Sequence, residues 1–265
     1  MRPLVSVLMS VYNNEKYILD SIKSIIKQSY KNIEIIIIND CSDDKSRELI
    51  RSFNDSRIKL YDNKKNIGLT KSLNKGIKKC RGKYIARIDA DDIMHPKRIE
   101  KQVEFMEKKN KVAVLGTALT LIDENNKIIG KRDYPVNKIK RIILRRNPLA
   151  HPSVMIRKNM LPKKGYDERL KTAQDYDLWL RINKKNKIAN LSEYLLKYRL
   201  HEKAIKAKST FRSHLDTIKI KIKAIKEYGY RPNIIDLLYL LGEILALLIP
   251  SGIKRRLYYR MVGSR

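Results

Sequence analysis

Cysteine is scarce. Cys41 and Cys80 are two thiols in 265 residues, which excludes a disulfide-stapled scaffold. They lack the paired spacing of a zinc site, so each is expected as a buried, reduced thiol. Three Phe and one Trp leave few stacking platforms beyond tyrosine. With no aromatic RNA-binding signature, zinc-finger spacing or helix-turn-helix, nucleic acid is not an expected partner. No G-x-G-x-x-G follows the first apolar run and no G-x-x-x-x-G-K-[ST] occurs, which removes the support for nicotinamide-dinucleotide and P-loop chemistry. Met1 to Val11 is too short an apolar opening for a secretory signal, so a cytoplasmic address is the default expectation.

Acidic residues are also outnumbered, 28 against 59 basic, for a net charge of +31. Such a chain attracts polyanions: nucleotides, nucleic acid or an anionic membrane face. The excess is uneven. Residues 1–130 carry 26 basic and 17 acidic side chains, 131–204 carry 20 and 7, and 205–265 carry 13 and 4. A Lys-, Ile- and Asn-rich composition that spreads Lys over solvated faces accounts for much of this without any partner. The hydrophobic content of 43% is enough for a sizeable core.

The first hundred residues alternate apolar runs with amphipathic stretches. Strands are expected at Leu4–Val11, Ile33–Ile38, Arg57–Tyr61 and Lys83–Ile88, and helices at Glu15–Gln28, Asp43–Phe53 and Leu69–Cys80. This repetition implies an α/β fold, a mostly parallel sheet with helices on both faces, whose ligands sit beyond the carboxyl ends of strands. Further on, the pattern predicts a helix from Pro96 to about Lys109, a strand at Val112–Leu115, and a hairpin over 117–132 turning at Glu124-Asn125-Asn126. A helix over 136–146, a strand over 153–157, a helix at Thr172–Lys185 and a strand at Tyr194–Leu200 follow.

The strand ends carry the chemistry. Ile88 is followed by Asp89-Ala90-Asp91-Asp92, three carboxylates that repel one another without a cation. Alternation along extended backbone would put Asp89 and Asp91 on one side, where Mg²⁺ or Mn²⁺ could be held with phosphate oxygens. The competing reading is a helix cap at Asp92 with two solvated turn residues. Asp40, after the second strand, could accept a hydrogen bond from a ligand N–H, or merely belong to a capping loop. Tyr12, after the first strand, could stack on a base or fill core.

In order along the chain stand Val5-Ser6-Val7-Leu8-Met9-Ser10-Val11-Tyr12-Asn13, Ile38-Asn39-Asp40-Cys41-Ser42, Asn66-Ile67-Gly68-Leu69 and Asp89-Ala90-Asp91-Asp92. His151-Pro152-Ser153, Gln174-Asp175-Tyr176-Asp177-Leu178-Trp179-Leu180-Arg181 and Tyr198-Arg199-Leu200-His201 follow. Over roughly residues 4–201 the chain resembles the inverting, family 2 glycosyltransferases of GT-A fold. The resemblance implies a catalytic domain over 1–204, with a nucleotide-binding half to about residue 95 and an acceptor-side half over 96–204. It implies a donor site of Val11, Tyr12, Asn13, Asp40, Asn66, Asp89, Ala90 and Asp91, with Tyr12 against the base and Asp40 on the uracil N3–H. A Mn²⁺ or Mg²⁺ ion on Asp91, Asp89 and His201 is implied as well, with Asp91 the ligand proper and Asp89 nearer the ribose or the sugar. Asp175 is implied as catalytic base. Asp177 is a second possible base, and motif register selects Asp175. Gln174 stands where Glu is common, and Cys41 where Gly is usual.

The implied activity is transfer of a sugar from a nucleoside diphosphate sugar, UDP favoured by Asp40, to a hydroxyl of a saccharide or lipid-linked acceptor. Cell-surface polysaccharide or lipopolysaccharide assembly is the expected setting. A metal-dependent nucleotidyltransferase also uses paired carboxylates, and a non-enzymatic polyanion-binding protein would use the charge alone. His151 is expected as a structural or acceptor-side residue, and His95 and His214 as surface or cap positions.

Residues 205–265 form a basic extension. A helix is expected over Lys206–Tyr228, then an apolar one over Ile234–Ile249. Sixteen residues rise only ~24 Å, short of a ~30 Å hydrocarbon core. Asp236, Tyr239 and Glu243 share one stripe and leave a wide Leu/Ile face, with Lys254, Arg255, Arg256 and Arg260 beyond. This suits a helix lying in an anionic membrane interface on the cytoplasmic side, or one packed on the catalytic domain or another subunit.

Overall fold

The computed structural model describes residues 2–200 and 211–249. Its first unit runs β1 (Val5–Val11), α1 (Ile18–Ile26), β2 (Ile33–Asn39), α2 (Ser46–Arg51), β3 (Ile58–Asp62), α3 (Leu69–Lys79) and β4 (Tyr84–Asp89). A two-residue β5 (Ile93–Met94), α4 (Arg98–Lys108), β6 (Val112–Ile122) and β7 (Ile128–Arg132) follow. Next come α5 (Ile139–Ile142), β8 (Met155–Arg157), α6 (Gln174–Asn183), β9 (Lys187–Arg199), α7 (Phe211–Lys226) and α8 (Ile234–Leu245).

The nine strands form one sheet in the order β3-β2-β1-β4-β8-β6-β9-β5, with β7 hairpinned onto β6. Strands β3, β2, β1 and β4 are parallel. Beyond β4 the sheet is mixed, because β8 is antiparallel to both β4 and β6 while β9 runs parallel to β6.

Both faces of the central strands β1, β2 and β4 are buried, which is why they are largely apolar, β2 almost a continuous run of Ile. Alternate side chains divide between two cores. Val7 and Met9 of β1 pack with Ile18, Ile22 and Ile25 of α1 and with Ile99, Val103 and Met106 of α4. Leu8, between them, joins Leu73 of α3, Trp179 of α6 and Ile220 of α7 on the opposite face. The basic extension therefore contributes to the second core through α7, instead of standing apart from it.

Several boundaries differ from the sequence expectation. The strand expected at Val112–Leu115 continues to Ile122, fusing with the first arm of the hairpin, whose turn falls where expected. The last strand begins at Lys187, because a long ladder to β6 extends it through a polar stretch. The helix expected over 136–146 shrinks to four residues, entered through Lys138 in the left-handed region at φ +60°.

One buried charge ties the sheet's outer edge together. Glu34 in β2 accepts from Ser6 Oγ at 2.7 Å, Lys59 Nζ at 2.8 Å and the Arg81 backbone N–H at 2.6 Å. Burial alone would raise its pKa, but the hydrogen bonds from Lys59, Ser6 and Arg81 prevail and lower it from 4.5 to about 2. A depressed carboxylate stabilises the fold above its unfolded pKa and loses that contribution as pH falls through the folded one. Chemical denaturation should therefore find Glu34→Gln about 2 kcal/mol less stable than wild type at neutral pH, a value reduced for the solvation of its Lys and Arg partners. That gap should close as pH falls from about 4.5 towards about 2.

Candidate active site

The topology brings three strand ends to one rim. Val11 is level with Asn39, and Ser10 is level with both Ile38 and Asp89. The loops after β1 and β2 are laced together: Asp40 N donates to Val11 O at 2.8 Å, Asn13 N to Ser42 Oγ at 3.1 Å, and Asp43 N to Asn13 Oδ1 at 3.1 Å. Asn13 and Cys41 both take left-handed backbone, at φ +49° and +62°. Cys41 thus holds the conformation that favours glycine there, and it is exposed, contrary to the expected buried thiol; Cys80 is buried as expected. Tyr12, at 49% exposure, presents its ring at this rim and is not core filler.

Asp40 is buried, and its carboxylate is largely committed within the chain. It accepts from Asn63 Nδ2 at 2.7 Å, Ile67 N at 2.9 Å and Gly68 N at 2.8 Å. Gly68 supplies the φ of +87° that lets this loop wrap the carboxylate. Of the roughly four lone-pair sites of a carboxylate, three are used, leaving one for a ligand donor. Holding the loop that presents the exposed Asn66 is Asp40's visible task.

The acidic cluster converges for a different reason from the one expected. β4 ends at Asp89 and the chain turns at Ala90-Asp91, so strand alternation does not align the carboxylates. One oxygen from each of Asp89, Asp91 and Asp92 nevertheless lies within 4.8 Å of the others. Fully buried Arg87 grips Asp89, its Nη1 at 2.7 Å from Oδ2 and its Nη2 on Oδ1. Arg199 of β9 holds the turn from the other side, donating Nε to Asp91 O at 2.8 Å and its backbone N–H to Asp92 Oδ1 at 2.9 Å. The same guanidinium reaches Asp123 O, Glu124 O and Asn126 Oδ1 in the β6–β7 turn, and lies 4.4 Å from the Tyr17 ring centroid.

Asp92 is no helix cap. It is fully buried, and its Oδ2 has no hydrogen-bond partner. Burial, with Asp91 and Asp89 alongside, pushes its carboxyl well above the usual range. Three crowded carboxylates, one with an orphaned buried oxygen, suit a hard divalent cation that accepts oxygen ligands. Behind them lies Arg98, which burial lowers to about 9; it donates to Arg87 O at 2.8 Å and Val154 O at 3.2 Å.

Asp175 and Asp177 both fall in the first turn of α6, yet the structure separates them. Asp177 is fully buried, with Arg181 Nε at 2.8 Å, the Tyr228 hydroxyl at 2.7 Å and Lys223 Nζ at 3.6 Å. Asp175 is only partly buried and is held by Asn147 Nδ2 at 2.7 Å. The His151 ring bonds the Tyr166 hydroxyl at 2.8 Å and meets Tyr166 and Trp179 edge-on, a structural setting. Burial raises the Tyr166 phenol, and the charges of Arg87, Asp175 and Asp89 also bear on it. His95 accepts from Lys97 N through Nδ1 at 3.2 Å, a turn-capping contact. His201 lies outside the described residues.

Asn147, Tyr166 and Arg199 carry no motif signal for these duties, since their partners are distant in the chain; Arg87 stands two residues before Asp89, but inside an apolar strand where nothing marks its direction. Arg199 was within reach of a sequence argument only as a neighbour of His201 in the last motif.

Residues 6–170 match the sequence family described as "Glycosyl transferase family 2". The O-antigen biosynthesis glycosyltransferase WbnJ of Escherichia coli is 40% identical over 210 residues, 76% of this chain and 81% of WbnJ. The amylovoran biosynthesis glycosyltransferase AmsE of Erwinia amylovora is 31% identical over 265 residues, 96% of this chain and 98% of AmsE. Two solved structures share the architecture. S. aureus TarS 1–349 in complex with UDP-GlcNAc superposes with a TM-score of 0.64 at 17% identity, covering 98% of this chain and 90% of that one. The mannosyltransferase PcManGT from Pyrobaculum calidifontis, in complex with GDP-Man and Mn²⁺, superposes at 0.69 with 15% identity, covering 100% and 77%. The fold is thus the Rossmann-like GT-A fold. The chain belongs to glycosyl transferase family 2.

Proposed function

We propose that this glycosyltransferase moves a sugar from a UDP-sugar to a hydroxyl of a saccharide or lipid-linked acceptor, with inversion, in cell-surface polysaccharide assembly. The observation that carries the reading is the convergence of Asp89, Asp91 and Asp92 at the end of β4, on the rim that the exposed Tyr12 shares. The relatives named for O-antigen and amylovoran biosynthesis support the setting.

Tyr12 would lie against the base, and the remaining lone pair of Asp40 would accept an imide N–H, a group that uridine and thymidine nucleotides share. Asp91, Asp89 and Asp92 would hold Mn²⁺ or Mg²⁺. When bound, such an ion neutralises charge on a departing diphosphate. Asn147 holds the Asp175 carboxylate, which takes the acceptor's proton as the oxygen–anomeric carbon bond forms. The bond from that carbon to the diphosphate oxygen breaks, and its electron pair leaves with the nucleoside diphosphate. Base and leaving group on opposite faces of the sugar give inversion.

The test is a panel of UDP-, dTDP- and GDP-sugars with Mn²⁺, scored for release of nucleoside diphosphate. Release from UDP-sugars is expected. Release of pyrophosphate from a nucleoside triphosphate and sugar phosphate would identify a nucleotidyltransferase instead. Binding to oligonucleotides with none to UDP would favour a polyanion-binding protein.

A further inference from the structure

Helix α8 is turned inside out. Its N-terminal end is fixed: Asn233 and Asp236 form a reciprocal capping box, with both hydrogen bonds at 3.0 Å. Its polar side chains then point at the protein. Asp236 is buried against Arg145 Nε at 2.7 Å, and Glu243 receives the buried Lys221 Nζ at 2.7 Å. Lys221 also donates to Arg145 O at 2.8 Å, so both ion pairs close on one point of the body. These contacts set the helix's rotation and leave its apolar face outward. Ile234 is 70% exposed, Leu238 59%, Leu241 51% and Leu245 55%, and Leu248, in the 3-10 turn that follows, 81%. An amphipathic helix on a globular protein ordinarily does the reverse, and a contiguous apolar patch of this kind marks an interaction surface.

We propose that the outward face of α8 docks on a lipid bilayer bearing anionic headgroups, lying in the interface plane. Twelve residues rise only ~18 Å, so the helix reaches too short a distance to span a ~30 Å core. Among the described residues no helix is long and apolar enough to cross a membrane. Charge selects lipid over a second copy of this chain. The two acids of α8 are both neutralised by their own partners, and residues 251–265, which follow directly, carry five basic and no acidic side chains. Pairing two copies through this face would crowd like charges from chains of net +31. An apolar stripe with cationic flanks matches the interface of an anionic bilayer. Tyr239, half exposed with the Arg145 guanidinium 5.9 Å from its ring centroid, adds an aromatic suited to the headgroup level.

The experiment uses the full chain and needs no transfer assay, so its outcome is independent of the proposed reaction. Co-sedimentation is measured with vesicles of phosphatidylglycerol and phosphatidylcholine in equal parts, and with phosphatidylcholine alone. Wild type is expected to bind the mixed vesicles and to bind the neutral ones much less. Leu238→Glu/Leu241→Glu, both at exposed positions, should bind at least roughly tenfold more weakly with an unchanged melting temperature. Leu238→Ala/Leu241→Ala, which adds no charge, should fall between. Three results would overturn the proposal: no binding by wild type, binding by both variants equal to wild type, or a wild-type dimer in the absence of lipid that the variants convert to monomer. Binding that survives both variants and disappears in salt would assign the attraction to charge alone and exclude the helix face.

Discussion

Asp175→Asn is expected to lower sugar transfer by roughly 10²–10⁴-fold while leaving nucleoside diphosphate binding and folding unchanged. The amide is isosteric with the carboxylate and can still accept from Asn147 Nδ2, now 2.7 Å from Oδ2, so the geometry of the first turn of α6 persists. What the amide lacks is a site for the acceptor's proton. Loss should therefore fall on kcat, with the affinity for UDP and Mn²⁺ retained in a separate titration. The neighbouring carboxylate gives the control. Asp177→Asn leaves Arg181 without its buried counter-charge, while Lys223 keeps Asp167 at 3.3 Å, so its effect should appear first as lost stability, of about 3 kcal/mol. Near-normal turnover by Asp175→Asn would remove it from the chemistry.

The contrast between these two acids also shows what a sequence conveys and what it withholds. Spacing on a helix says that Asp175 and Asp177 face different ways. It does not say which faces the protein, because that is decided by Tyr228 and Lys223, some fifty residues later. The parallel half of the sheet was legible because strands buried on both faces must be unbroken apolar runs, as at Ile33–Ile38. β5 was not, since two residues become a strand only by pairing with Leu196 and Lys197 of β9. Nor was the polar start of β9, which owes its conformation to the ladder with β6 rather than to local preference.

In the site, the motif residues were legible because strand ends are where such sheets place ligands. The position of Asp92 was not, as Arg199, which fixes it, is 107 residues away. The tail shows the same division. Asp236, Tyr239 and Glu243 could be read as a stripe, but that Asp236 and Glu243 point inward depends on Arg145 and Lys221.

Asp91→Ala should abolish transfer by the complementary route, by removing the Mn²⁺-dependent part of nucleotide binding. The loop itself should survive the change, because Arg199 holds Asp91 through its backbone carbonyl at 2.8 Å and Asp92 through Oδ1 at 2.9 Å, neither of which involves the deleted side chain. Asp89 should also stay in place, paired to Arg87. The substitution thus deletes one of three converging oxygens from an otherwise intact cradle, and relieves repulsion among the carboxylates that remain. Transfer should fall roughly 10²-fold or more. In calorimetric titrations with UDP, wild type should bind more tightly with Mn²⁺ than with chelator, and Asp91→Ala should bind alike in both. Asp175→Asn should keep the wild-type difference. A variant at Asp91 whose UDP affinity still rose with Mn²⁺ as in wild type would move the cation elsewhere, and the crowding at the end of β4 would then need another explanation.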